Sequence, residues 1–275
     1  MNKDNGITIT PLGTVSPYCK GNSNCPGFLV SDGEKKIMLD CGNGICRYLN
    51  MEEDLNDLII IISHLHRDHY GDLTSIAYLS LLYKNFGYIN DKIKVYIPSG
   101  DMSGLKYEYI DGWGDLVREE RPLIDFEYLL SLEKESYLEF IKYDRLSTIK
   151  HGTMDISFCK NPHQLNTYSA KITDGVNTIV YSSDTGYKGN SLEKFAKDAD
   201  MLICESTFIR GQNKNGDNHL FAYEAAKIAR DAKVKQLVLT HFWPEIEKER
   251  YVNEAMKIFE NTIPAEEGKK LLLKR

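Results

Sequence analysis

The chain has 275 residues, 42% of them hydrophobic, enough apolar material for one sizeable core, and a single domain over residues 1–275 is expected. Its formal net charge of −6 argues against broad electrostatic capture of nucleic acid and leaves RNA only a local basic groove. No charged start followed by an apolar run precedes Ile7, and no uncharged apolar stretch approaches the roughly 20 residues that cross a bilayer, so a cytoplasmic protein with no membrane partner is expected.

Ile7-Thr8-Ile9-Thr10 alternates like a strand, and Pro11-Leu12-Gly13-Thr14 reads as the loop that stops it. Cys19 and Cys25 follow. With Cys41, Cys46, Cys159 and Cys204 they are scattered through a chain without a secretion signal, which points to reduced thiols. Cys19 and Cys25 could still form a small metal or redox pair, although no second matching pair completes a usual zinc spacing. Residues 27–31 and 36–40 form a hairpin through Asp32-Gly33, giving an antiparallel sheet at the N-terminus. Asp40-Cys41-Gly42-Asn43-Gly44 then ends the strand, and Asp40 sits where it could either reach the next loop or cap a short helix over residues 45–49.

The stretch Leu58-Ile59-Ile60-Ile61-Ile62-Ser63-His64-Leu65-His66-Arg67-Asp68-His69 joins a β-branched run, expected to be a buried strand, to three histidines and an aspartate within six positions. Alternate residues of an extended segment share a face, so His64, His66 and Asp68 could project to one side while His69 points elsewhere. One compact loop could thus serve two adjacent metal ions. Residues 72–86 carry apolar side chains at helical spacing, and residues 94–97 form another strand. Residues 101–137 read as a helix-like, aromatic-rich insertion whose Tyr107, Tyr109, Trp113, Phe126 and Tyr128 serve packing.

Later strands end on the same kinds of side chain. Residues 154–159 lead into Asn161-Pro162-His163. The hairpin of residues 168–172 and 178–182 leads into Ser183-Asp184, residues 201–204 close on Glu205, and residues 236–240 end on His241. Asn218-His219 precedes a helix near residues 221–229, whereas His151 has no acid or ligand close in sequence and is expected to be structural. Five of seven histidines therefore stand at strand ends together with Asp68 and Asp184, the convergence an active-site rim needs. Imidazoles with a few carboxylates suit zinc first, with manganese or iron as alternatives. Two such ions about 4 Å apart can share a bridging hydroxide and polarise the bond it attacks.

His64-Leu65-His66-Arg67-Asp68-His69, with His163, Asp184 and His241, resembles the diagnostic ligand pattern of the metallo-β-lactamase superfamily. The resemblance spans roughly residues 7–243 and implies an α/β fold, an αββα sandwich of two mixed β-sheets flanked by helices. It implies that His64, His66 and His163 hold one zinc ion, that Asp68, His69 and His241 hold a second, and that Asp184 bridges them. A narrower likeness, carried by Leu202-Ile203-Cys204-Glu205-Ser206-Thr207, Asn218-His219-Leu220 and Leu239-Thr240-His241, is to ribonuclease Z and its phosphodiesterase relatives. In that branch the histidine matching His219 helps protonate the leaving oxygen and the acid matching Glu205 orients it.

Two departures bear on the substrate. The long arm with which bacterial ribonuclease Z grips transfer RNA falls between the positions matching His163 and Asp184, where this chain has little more than one hairpin. Cys204 also stands where that branch usually has histidine. Relatives without the arm include phosphodiesterases acting on cyclic nucleotides, among them phage enzymes that destroy cyclic-nucleotide defence signals. The expected activity is accordingly metal-dependent hydrolysis of a small phosphodiester or nucleotide, with Asp68, His219 and Glu205 as catalytic residues and a homodimer as the assembly. A transfer RNA 3′-processing endonuclease and a non-catalytic metal-binding module are the alternatives.

Overall fold

A computed structural model describes residues 6–99, 105–110, 116–121, 131–189, 191–214 and 216–274. The first of two seven-stranded sheets contains β1 (Ile7–Gly13), β2 (Gly27–Ser31), β3 (Lys36–Leu39), β4 (Leu58–Ile61) and β5 (Ile93–Pro98) side by side. A separate antiparallel pair, β6 (Leu105–Ile110) and β7 (Leu116–Arg121), precedes β8 (Leu138–Tyr143), which pairs with β5. The second sheet runs through β9 (Thr148–His151), β10 (Met154–Lys160), β11 (Tyr168–Thr173), β12 (Thr178–Tyr181), β13 (Met201–Glu205), β14 (Gln236–Thr240) and β15 (Thr262–Pro264). β16 (Leu271–Leu273) returns to the first sheet against β1.

Both sheets are mixed. β1 to β3 pair antiparallel, but β3, β4, β5 and β8 run parallel; β9 to β12 pair antiparallel, but β12 to β15 run parallel. Among the described residues the helices include α1 (Met51–Asp54), α2 (Leu73–Asn85), α3 (Ser191–Phe195), α4 (Ala222–Asp231) and α5 (Lys248–Ala255), with 3₁₀ turns at Ile45–Tyr48 and Arg67–His69 and helical backbone at residues 131–134.

The alternation of strand side chains explains the layering. Ile59 and Ile61 enter the core between the sheets with Ile9, Val30, Tyr181 and Ile203, whereas Leu58, Ile60 and Ile62 face an outer core with Leu73, Ile76 and Ala77 of α2. The unbroken apolar run of β4 is thus buried on both faces, as a parallel strand covered by helices requires. In the second sheet Met201 and Ile203 face the first sheet, while Leu202 and Cys204 meet Ala225, Ala226 and Ala229 of α4. Alanines on that face let the helix approach the strands closely. Each fully buried Ile or Leu contributes about 1.5–3 kcal/mol.

Two expectations are corrected. β1 does not stop at Thr10 but continues through Pro11 to Gly13. β16 pairs only with Ile7, Thr8 and Ile9, so that ladder asks no N–H of Pro11, whose carbonyl accepts from Gly268 N at 2.8 Å, and the register against β2 shifts between Pro11 and Gly13. The segment read as helix-like contains the β6–β7 pair, and its period-two Leu-Lys-Tyr-Glu-Tyr-Ile outweighs helical propensity. Trp113, Phe126 and Tyr128 lie outside the described residues.

Candidate metal centre

The parallel strands of both sheets end at one rim, where open α/β sheets present their ligand crevices. β3 delivers Asp40, β4 the loop of Ser63 to His69, β12 Asp184, β13 Glu205 and β14 His241, while the turn after β10 brings in His163. Three strand ends adopt left-handed backbone without glycine: Asp40 at φ 58°, Ser183 at 51° and His241 at 60°. Such conformations cost about 1 kcal/mol each and turn a chain end sharply inward.

The ligand-type atoms of His64, His66, His163 and Asp184 lie within 4.8 Å of one another, as do those of Asp68, His69 and His241. The first guess about the loop faces is therefore corrected. Residues 67–69 form a 3₁₀ turn rather than extended chain, and this swings Asp68 to the side of His69 and away from His64 and His66. Asp184 stands between the groups. Its Oδ2 is 3.5 Å from His64 Nε2 and 3.9 Å from His163 Nε2, and its Oδ1 is 3.4 Å from His69 Nε2 and 3.0 Å from His241 Nε2. Asp68 Oδ2 is 3.7 Å from His69 Nε2 and 3.9 Å from His241 Nε2.

Hydrogen bonds on the far side of the rings aim the inner nitrogens. His69 Nδ1 lies 2.8 Å from Asp40 Oδ2, His64 Nδ1 3.1 Å from Ser63 Oγ, His163 Nδ1 3.0 Å from Thr167 Oγ1 and His241 Nδ1 2.8 Å from Thr207 Oγ1. Asp40 is itself held by Ser63 N and Oγ and by Tyr181 Oη at 2.7–2.8 Å, so of its two expected roles it takes the one at the histidine loop. Ser16 Oγ donates to Asp68 Oδ2 at 2.7 Å. Asn161 Nδ2 donates to the carbonyls of Ser182 and Asp184, tying the His163 turn to the end of β12. Sequence reasoning missed Ser16, Ser63, Asn161, Thr167, Tyr181 and Thr207. Only their placement next to a ligand in sequence or at a strand end could have signalled them.

The buried atoms fit cations. His69 Nε2, Asp184 Oδ1 and His241 Nε2 are buried without a hydrogen-bond partner, a costly condition that an ion relieves. Burial, and then His69, lowers the pKa of His64 to about 4; burial likewise lowers His66 to about 4 and His163 to about 3. Their lone pairs are thus available at neutral pH. Burial would raise Asp184, but His241 and His69 hold it well below the usual carboxylate range. The nitrogen and carboxylate donor set suits zinc and related divalent ions.

At the edge of the cradle His219 Nδ1 lies 3.1 Å from Glu205 Oε1 and 3.8 Å from Asp184 Oδ2. Burial alone would lower its pKa, but the Glu205 charge and hydrogen bond raise it to about 9. Glu205 is fixed by Thr185 N, Thr207 N and Thr207 Oγ1 at 2.8–3.2 Å. His151 stands apart and bonds the Asp57 carbonyl at 2.7 Å. Cys204 points into the helix-side core.

The family model described as Anti-Pycsar protein Apyc1 matches residues 7–262. The sequence is 26% identical over 236 residues to the probable metallo-hydrolase YhfI of Bacillus subtilis (strain 168), covering 86% of each chain. It is 29% identical over 287 residues to the ribonuclease Z of Saccharolobus solfataricus, covering 94% of this chain and 96% of that one. The crystal structure of the metallo-β-lactamase fold protein YhfI superposes with a TM-score of 0.81 at 24% identity, over 97% of this chain and 99% of that one. The two mixed sheets flanked by helices are that fold.

Proposed function

The chain belongs to the family described as Anti-Pycsar protein Apyc1, and from that premise we propose that it is a metal-dependent phosphodiesterase acting on a small phosphodiester such as a cyclic nucleotide. One relative is named a probable metallo-hydrolase and another a ribonuclease Z, names that join hydrolysis, a metal and a phosphodiester bond. His64, His66 and His163 would hold one zinc ion, Asp68, His69 and His241 a second, and Asp184 would lie between them, with manganese or iron as alternative ions. Such ions supply the charge that polarises a phosphoryl group and lowers the pKa of bound water.

The observation that carries the reading is His219, a partly exposed imidazole backed by a buried carboxylate and leaning over the cradle. An alkoxide is a poor leaving group, so a protonated imidazole at this edge meets the need that phosphodiester cleavage creates. Glu205 accepts the Nδ1 proton, and its charge with that of Asp184 favours the doubly protonated ring, which leaves the Nε2–H as the proton to donate. The short β11–β12 hairpin between His163 and Asp184 offers no arm for a large nucleic acid.

Purified protein loaded with zinc or manganese should hydrolyse bis-p-nitrophenyl phosphate and at least one member of a cyclic-nucleotide panel. Absence of turnover on all of them with metal bound rejects the proposal. A second reading, processing of transfer RNA 3′ ends, is favoured by the identity to a ribonuclease Z along nearly the whole chain. Cleavage of precursor transfer RNA at one defined position, without cyclic-nucleotide turnover, would put that reading first.

A further inference from the structure

We infer that Cys19 and Cys25 are a redox-active dithiol on the wall of the metal centre, closing to a disulfide that acts on the centre through Ser16. Their sulfurs lie 3.8 Å apart, Cys19 exposed and Cys25 buried. A disulfide needs about 2.05 Å, so a shift of roughly 1.8 Å closes the pair. The hairpin between them is already folded for this. Lys20 and Ser23 exchange backbone hydrogen bonds at 3.2 and 2.9 Å, and Tyr18 and Lys20, flanking Cys19, both bind the Glu245 carboxylate. One carbonyl, that of Asn43, accepts from the Cys25 N–H and from the Cys19 thiol, each at 3.0 Å. Two thiols held on a common anchor, one facing solvent and one behind it, form an attacking and resolving arrangement.

The same segment reaches the metal centre. Ser16, three residues before Cys19, donates to Asp68 Oδ2 at 2.7 Å, and the Asp68 carbonyl packs against Gly42 beside Cys25. Drawing Cys19 towards Cys25 pulls on the arm that carries Ser16 and weakens its hold on Asp68. In the redox step the Cys19 thiolate attacks a low-molecular-weight disulfide, breaking its S–S bond and releasing one thiolate. The buried Cys25 sulfur then attacks the Cys19 sulfur and breaks the mixed disulfide, its proton passing to the departing thiolate, which leaves as the second thiol. Two electrons pass from the pair to the external disulfide, and no bond to a metal is made or broken.

Intact zinc-loaded protein treated with glutathione disulfide should lose two hydrogens in mass, located to Cys19 and Cys25 by peptide mapping, and regain them with a dithiol reductant. After oxidation, zinc titration by calorimetry should show affinity about tenfold weaker, the scale on which losing a partner behind a ligand acts. Cys19→Ser, altered at a solvent-facing position, should fold and show neither change. Ser16→Ala should form the disulfide while its zinc affinity no longer responds to oxidation. A stable glutathione adduct on Cys19 with Cys25 still alkylatable, or no reaction, overturns the dithiol; unchanged zinc affinity in the oxidised wild type, or a response that persists in Ser16→Ala, overturns the route to Asp68.

Discussion

At the scale of single residues, the side chains behind the rings divide into those that aim a nitrogen and those that manage a proton. On the proposed reading His219 belongs to the second kind. His219→Ala should lower turnover of a phosphodiester by about 10²–10⁴-fold, the range of a lost general acid, while metal content by mass spectrometry stays unchanged; parallel loss of both would make His219 a ligand instead, a role its place within 4.8 Å of Asp184 and His241 also permits. Asp40 belongs to the first kind, with His69, Ser63 and Tyr181 all bonded to its buried carboxylate. Asp40→Asn keeps the shape but gives the His69 ring a weaker partner, and zinc affinity measured by competition with a chromophoric chelator should fall about 10–100-fold. Undiminished affinity would mean that packing alone orients His69.

Secondary-structure elements fix how closely these residues can gather. Gly42 shows this where β3 hands over to the first 3₁₀ turn: a Cβ there would stand 2.3 Å from the Asp68 carbonyl oxygen and 2.6 Å from the Cys25 carbonyl carbon, both backbone atoms that cannot swing aside. Gly42→Ala should therefore cost about 1–3 kcal/mol, read as a melting point several degrees lower, together with weaker zinc binding; an unchanged melting point would show that the two loops are free to part. Most of the elements were legible because β-branched runs, turn dipeptides and strand-end ligands coincide, as in Leu58 to His69 and in Val238 to His241. The β6–β7 pair was not, since Leu105 and Tyr109 of its period-two run are also four apart, a spacing a helix shares. The turn at Arg67–His69 was equally hidden: no propensity says that a six-residue motif begins extended and ends in a 3₁₀ turn.

For the molecule as a whole, the cradle joins its two sheets, since β3 and β4 come from one and β10, β12, β13 and β14 from the other. Metal held there binds only the folded chain. Removing it with a chelator should lower stability by about 4 kcal/mol if the ion is present at a thousandfold over its dissociation constant, and amide exchange should quicken at the ends of both sheets; a fall confined to one sheet would place the ion off the seam. The candidate ligand residues that the rim brings together were readable from sequence because imidazoles and acids at strand ends are chemically conspicuous. The hydroxyls that orient them were not, because serine and threonine occur everywhere and only the meeting of strands far apart in sequence selects Ser63, Thr167 and Thr207. The left-handed ends at Asp40, Ser183 and His241 have one more implication. Asp57, Asp198 and Lys233 share that backbone elsewhere, so what sets these three apart is that the bends close β3, β12 and β14 at one rim, a convergence recognisable in a backbone trace even where no motif survives.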